Sequence, residues 1–289
     1  MGIENIRKVG VAGAGSMGAG IIQQCAVNGF EVQVLEVNEA AWERGRNIIA
    51  KSLGRLVKKG KLSEGDEKAV WERIAFSTDP GAFQGVDFVI EAVIEDFGLK
   101  KELFEKLDAV CAEHVIFASN TSSLSITELA STTKRRDRFV GMHFFNPVPV
   151  MRLVEVIPGV ETSQETVATA REMAKRLGKE PVVCKDVPGF IVNRLLIPML
   201  LDAVRLVEAG VASVEDIDKA MKLGANLPMG PLELIDYTGA DISYFVGNIF
   251  YEYTKEPRYA PPHLLRKMVK AGLLGRKTGK GFYDYEERD

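Results

Sequence analysis

A glycine-punctuated turn directly after the first β-branched run does more than any other feature to limit the folds open to this chain. Residues 8–12, Lys-Val-Gly-Val-Ala, read as a short buried strand. Gly13-Ala-Gly15-Ser16-Met17-Gly18 follows without a spacer, and Ile21, Ile22 and Ala26 then recur at helical spacing. Strand, G-x-G-x-x-G turn and helix in that order form the first part of a parallel crossover unit. Further β-branched runs at 31–35, 88–93, 115–118 and 139–142 are mostly separated by amphipathic stretches, which predicts parallel pairing in a doubly wound α/β sheet. Runs at 153–157 and 181–184 flank a helical pattern at 163–177 and extend the expected sheet to about residue 185.

Beyond Lys185 the pattern changes. Residues 188–209, 213–223, 232–238, 241–253 and 262–271 are helical in spacing, and no strand pattern follows. The expected architecture is therefore a Rossmann-like domain over residues 1–185 and a smaller all-helical domain over 186–289, divided near Lys185-Asp-Val-Pro-Gly189. With 289 residues, 46% of them hydrophobic, the chain can bury two sizeable cores.

Charge excludes some partners. Lys and Arg number 37 against 40 Asp and Glu, a net charge of -3 that argues against general affinity for nucleic acid or anionic membrane. Arg194 and Asp202 interrupt the most apolar stretch, residues 187–204, so no membrane span is expected. Cys25, Cys111 and Cys184 are far apart and in no C-x-x-C pair, which indicates neither a zinc site nor a disulfide framework. A cytoplasmic chain without a leader peptide is the expectation.

In the turn, the first glycine permits the tight bend, the second lets a pyrophosphate approach the backbone, and the third lets helix pack on strand. A glycine-rich turn without a ligand is the plain alternative. Glu36 ends the second strand 18 residues after Gly18, where a carboxylate can accept from ribose hydroxyls and repel a 2′-phosphate. That favours NAD over NADP, and disfavours FAD less strongly; a solvated carboxylate at a strand end is the alternative.

Arg44, Arg46, Lys51, Arg55, Lys58, Lys59 and Lys61 fall in a stretch with no acidic residue, giving +7 inside a chain whose remainder carries -10. A polyanionic ligand would explain the cluster. Ile48, Ile49, Leu53, Leu56 and Val57 equally fit an ordinary amphipathic helix with a solvated basic side.

Of three histidines, His143 is the acid/base candidate, because it ends a strand where open α/β sheets place ligands; His114 and His263 read as surface or capping residues. Pro147 and Pro149 reverse the chain, and if the flanking strands pair about residue 149, Glu155 falls opposite His143 and can orient it. A buried structural pair is the competing reading. Ser119-Asn-Thr-Ser122-Ser123 offers hydroxyl and amide donors at the same edge, or helix caps. Asn193 is either a helix-interior amide or a substrate donor.

Together, Gly13–Gly18, Ser119-Asn-Thr-Ser-Ser-Leu124, His143-Phe-Phe-Asn-Pro147, Pro188-Gly-Phe-Ile-Val-Asn-Arg194, Pro228-Met-Gly-Pro231 and Lys277-Thr-Gly-Lys-Gly-Phe-Tyr283 resemble the L-3-hydroxyacyl-CoA dehydrogenases, nearest the bacterial 3-hydroxybutyryl-CoA branch. The resemblance implies that His143 exchanges a proton with the substrate's 3-hydroxyl, Glu155 orients it, and Ser122 and Asn193 position the reacting oxygen. It implies that Glu95, Lys100, Ser122, Asn146 and Lys277 join the glycine turn around NAD, and that Ser52 and Lys59 meet the CoA portion of an acyl-CoA substrate. It further implies a homodimer formed through the helical domain, with catalysis between the two domains. Glu36 departs from the Asp of many relatives but keeps the charge. Two other readings are a dehydrogenase of free hydroxy or sugar acids of the gulonate type, and a nucleotide-binding protein without turnover.

Overall fold

A computed structural model describes residues 3–285. The chain divides between Phe190 and Ile191 into two compact units.

The first unit is built on one eight-stranded sheet. Its strands are β1 (Lys8–Ala12), β2 (Glu31–Leu35), β3 (Ile74–Ser77), β4 (Phe88–Glu91), β5 (Ile116–Ser119), β6 (Phe139–Phe144), β7 (Leu153–Pro158) and β8 (Glu180–Val183), in the spatial order 3-2-1-4-5-6-7-8. Every pairing is parallel except β6 with β7, which is antiparallel. The first six strands follow the dinucleotide-binding order, with the winding reversed between β1 and β4. Ligands of such sheets bind where those two strands end.

Alternation along the strands feeds two cores. Phe88 and Ile90 of β4, with Ile116 and Ala118 of β5, join a cluster with Ile21, Ile22 and Cys25 of α1 (Ser16–Val27) and Ile49 and Leu53 of α2 (Glu39–Lys58). Val89 and Phe117, from the alternate positions, join Phe104 and Leu107 of the next long helix, residues 97–110. Period-two alternation with both faces apolar is what a sheet covered on both sides requires. Between α2 and that long helix lies α3 (Glu64–Glu72), so the long helix is α4 (Phe97–Val110); α5 (Ile126–Ser131) and α6 (Gln164–Arg176) complete the unit.

Several expected boundaries move. β3 was not expected; it is an edge strand of four residues, none of them buried, and carries too little pattern to read. β4 stops at Glu91, two residues short of the expected end, because the Val93 amide turns aside to the Glu91 carboxylate at 2.7 Å. The helix expected from residue 188 begins at Val192, after a bend in which Gly189 and Phe190 have positive φ.

The second unit contains α7 (Val192–Glu208), α8 (Val214–Gly224), α9 (Pro231–Thr238), α10 (Ala240–Thr254) and α11 (His263–Lys270). Leu200, Leu201, Leu232, Ile235, Phe250 and Leu265 form its core. Among the described residues no helix is long and apolar enough to cross a membrane, and no His, Cys, Asp and Glu cluster could hold a metal ion.

Candidate active site

The turn between β1 and α1 has the shape its glycines require. Gly13 has φ +95°, and a Cβ there would lie 2.6 Å from the Ala92 carbonyl oxygen just past β4. A Cβ on Gly18 would lie 2.0 Å from the Gly13 oxygen, so α1 could not sit this close to the strand end. Gly15 faces open space, with nothing within 4 Å of a Cβ position. It also caps α1 with no side-chain hydrogen bond, and Ser16 beside it is exposed, leaving the positive end of the helix dipole to a ligand. Met17 is half-buried behind it. A pyrophosphate fits this cradle.

Glu36 completes it. One carboxylate oxygen accepts from the Ala14 amide at 2.8 Å and the other from the Val37 amide at 2.8 Å. The glycine turn and the acidic end of β2 are thus one hydrogen-bonded unit. Gly45 was not anticipated: a Cβ there would meet the Ala14 oxygen at 2.4 Å, so α2 packs against the turn only because this helical residue is glycine. An isolated glycine in a helical pattern was the available signal.

A second cluster lies at the ends of β4 and β5. The Glu91 carboxylate accepts from Lys100 at 2.5 Å, Ser119 at 2.5 Å and the Val93 amide, with Glu91 and Lys100 wholly buried. Burial pushes the Glu91 carboxyl above its ordinary range, against the opposing pull of Lys100. Glu95 lies 3.4 Å from the same ammonium and accepts from the Thr121 hydroxyl, the Ser122 and Ser123 amides and the Ser123 hydroxyl. Burial alone would raise the Glu95 carboxyl; Lys100 and these donors together hold it below its ordinary range. Lys100, expected beside the cofactor, has no exposed surface, and its ammonium lies between Glu91 and Glu95. Ser125, not Ser122, caps α5, which leaves the Ser122 hydroxyl outside the helix cap.

His143 and Glu155 face each other across β6 and β7, in register, with Nδ1 and Oε2 2.7 Å apart. With the carboxylate as acceptor, Nδ1 carries the proton and donates, which leaves Nε2 to exchange one. Both side chains are buried. Ser119 of β5 pairs with Gly141 of β6, so Ser122, just past β5, and His143, next to the last residue of β6, lie at neighbouring strand ends. The Asn120 side-chain oxygen accepts from the Phe144 amide at 2.9 Å and ties the two strands together. Asn146, joined to Pro147 by a cis peptide, is exposed, and Lys179 holds the turn beyond it by donating to the Val148 and Met151 carbonyls. Burial, then Glu155 and Asp186, push the Cys184 thiol up to about 12, so no thiolate competes as a nucleophile here.

On α2, Ser52 is half-buried and Lys59, seven residues on and so two turns along the same face, caps the C-terminus in the open. All seven basic residues of the cluster are exposed, while Trp42, Gly45, Ile49 and Leu53 form the buried face. In the second unit, Asn193 lies half-exposed in the first turn of α7, and exposed Lys277 donates to both oxygens of Asp241, at 2.5 and 2.7 Å.

Strand order, glycine turn and acidic β2 terminus together define a dinucleotide-binding domain of the NAD type. Comparison with known proteins agrees. Residues 8–187 match the family model "3-hydroxyacyl-CoA dehydrogenase, NAD binding domain", and residues 189–285 match "3-hydroxyacyl-CoA dehydrogenase, C-terminal domain". A probable 3-hydroxybutyryl-CoA dehydrogenase of Bacillus subtilis is 48% identical, covering 98% of this chain and 99% of its own. The mitochondrial hydroxyacyl-coenzyme A dehydrogenase of Homo sapiens is 49% identical, covering 97% of this chain and 92% of its own. The crystal structure of (S)-3-hydroxybutyryl-CoA dehydrogenase from Ralstonia eutropha superposes with a TM-score of 0.95 at 49% identity, covering 98% of this chain and 100% of that one. The chain belongs to the 3-hydroxyacyl-CoA dehydrogenase family, and its cofactor is NAD.

Proposed function

We propose that this enzyme interconverts (S)-3-hydroxyacyl-CoA and 3-ketoacyl-CoA, with the four-carbon 3-hydroxybutyryl ester as its substrate. The observation that carries the reading is the buried His143–Glu155 hydrogen bond at the ligand edge of the sheet. NAD, when bound, supplies the hydride acceptor for oxidation of the carbinol carbon, and NADH the donor for the reverse.

The residues of the chain supply the rest. Nε2 of His143 takes the proton of the 3-hydroxyl as the alcohol is oxidised and returns it in reduction. Glu155 holds the ring in the tautomer that leaves Nε2 basic and stabilises the imidazolium formed. Burial strengthens that interaction relative to water. The Ser122 hydroxyl and Asn193 amide donate to the oxygen on the reacting carbon and to the adjoining thioester, orienting the substrate. Gly13, Gly15, Ser16, Met17 and Gly18 hold the pyrophosphate, Glu36 the adenosine ribose, and Glu95, Asn146 and Lys277 lie around the rest of NAD, with Lys100 behind Glu95.

The exposed basic face of α2 favours a CoA ester over a free acid. CoA carries a 3′-phosphate and a pyrophosphate, and Lys59 with Ser52 offers them a cation and a hydroxyl. Family likeness over the full chain supports a cytoplasmic homodimer assembled through the helical unit.

The test is the loss of NADH absorbance with acetoacetyl-CoA, run beside free acetoacetate, a longer 3-ketoacyl-CoA and NADPH. Turnover with the CoA esters and NADH but not with the free acid is expected, fastest with the four-carbon ester. Failure with every CoA ester despite NADH binding would overturn the reading in favour of a free-acid dehydrogenase or a non-catalytic binder.

A further inference from the structure

Two phenyl rings flank the imidazole of His143. The Phe145 ring centroid lies 4.6 Å from it at an interplanar angle of 56°, and that of Phe190 lies 5.5 Å away at 57°. Phe145 is two residues along the same strand direction, so its proximity is local. Phe190 is 47 residues away in sequence and reaches the ring only by a special backbone path. It is 3% exposed and packs into the core cluster of Phe104, Phe117, Phe139 and Ile157.

Its backbone is at φ +49°, a left-handed conformation that bulky residues seldom adopt. Gly189 before it is also left-handed, at φ +78°, and the Phe190 amide closes the turn by donating to the Val187 carbonyl at 3.0 Å. Upstream the segment is fastened by Asp186, whose carboxylate accepts from the Ser125 hydroxyl and the Ile126 and Thr127 amides. A strained residue persists only where its surroundings over-determine it, and such residues gather at functional sites. Here the strain turns one aromatic ring toward His143.

We infer that Phe190 is a positioning residue for His143: its ring closes one side of the imidazole, keeps water from the imidazolium, and holds the ring against Glu155. This deepens the acid/base reading above and rests on it. The titratable groups facing His143 are Glu155 on β7 and, beyond Glu155, the protonated Cys184 thiol after β8. Neither is altered by substitution at residue 190. A buried hydrogen bond is stronger than one open to solvent, so removing the wall lets water compete with Glu155 for the Nδ1 proton.

The test is imidazole NMR on the protein without substrate, which three histidines make assignable. Phe190→Gly removes the ring and relieves the left-handed strain; Phe190→Leu keeps apolar bulk without the aromatic face. In both variants the His143 Nδ1 proton that Glu155 holds should exchange with water faster, by about 10-fold or more in the glycine variant and less in the leucine variant. Turnover should fall about 10- to 100-fold in the glycine variant, with NADH affinity unchanged. If the glycine variant fails to fold, the leucine variant decides alone. A folded variant whose His143 Nδ1 proton exchange and turnover both match the parent overturns the inference. Because the proton exchange is read without substrate, its result stands apart from whether acetoacetyl-CoA is the substrate.

Discussion

Lys100 donates to Glu91 at 2.5 Å with neither side chain exposed, while Glu95 accepts the remaining field of the same ammonium at 3.4 Å. One buried cation thus serves two carboxylates, and the second of them secures the Ser122 and Ser123 amides. Breaking a buried pair from one side leaves an uncompensated charge, which costs about 3–5 kcal/mol. Lys100→Met should lower unfolding stability by that amount in urea titration and weaken NADH binding, although Lys100 reaches no surface. An unchanged urea midpoint would show that the cluster does not depend on its cation.

Glu95 carries the pH dependence of the Ser122 turn. Its carboxyl is held below the ordinary 4.5, so the stabilisation it confers is present above that value and is lost as pH falls through the lower folded-state value. The Ser122 and Ser123 amide resonances should therefore stay in place down to 4.5 and shift only below it. Glu95→Gln should remove that acid transition; a transition that survived the substitution would belong to another group.

Much of this arrangement is readable from residue order, and some of it is not. The β6–β7 register follows from Pro147 and Pro149, since a reversal centred there makes residues 143 and 155 equidistant, and strand pairing converts equal distance into contact. The β1 turn is legible because each glycine answers a separate steric demand. Lys100 is less so: Lys100 and Lys101 are adjacent on α4, and only the tertiary position of Glu91 decides which one turns inward. β3 escapes because four partly exposed residues at a sheet edge carry no usable period. The approach of Phe190 to His143 depends on two successive left-handed residues, which only the folded path of 186–190 reveals.

On the proposed reading, His143 with Glu155 serves proton transfer and not cofactor binding. His143→Ala should remove most turnover, about 10²- to 10⁴-fold, because the proposed general acid/base is lost. NADH binding, followed by fluorescence, should be nearly unchanged, and its loss would show that His143 serves the cofactor site instead. Glu155→Gln should keep the packing yet lower turnover markedly, since a neutral amide no longer stabilises the imidazolium.

α2 contains two glycines in contrasting surroundings. A Cβ on Gly45 would meet the Ala14 oxygen at 2.4 Å and the Ala14 Cβ at 2.7 Å, whereas one on Gly54 has nothing within 4 Å. Gly45→Ala must push the helix from the turn, costing roughly 1–3 kcal/mol and weakening NADH binding. Gly54→Ala should instead stabilise the helix by about 0.5–1 kcal/mol and leave binding alone. Thermal unfolding and NADH titration of the two variants side by side check both halves. Equal behaviour would mean that α2 does not support the glycine turn.

Glu36 is bonded through one oxygen to Ala14 and through the other to Val37, so its negative charge is fixed at the end of β2 rather than left to swing in solvent. A charge fixed there can accept from the ribose hydroxyls and repels a 2′-phosphate at the same position. Glu36→Ala should therefore act twice. NADH affinity should fall about 10-fold or more, the scale of a hydrogen bond to a charged group. NADPH, relieved of the repulsion, should lose less or gain, so that the preference between the two cofactors narrows. Dissociation constants for both, measured on parent and variant at one ionic strength, decide the matter. A variant that weakened both cofactors equally would place Glu36 as a support of the Ala14 turn alone, with the selection against the 2′-phosphate lying elsewhere.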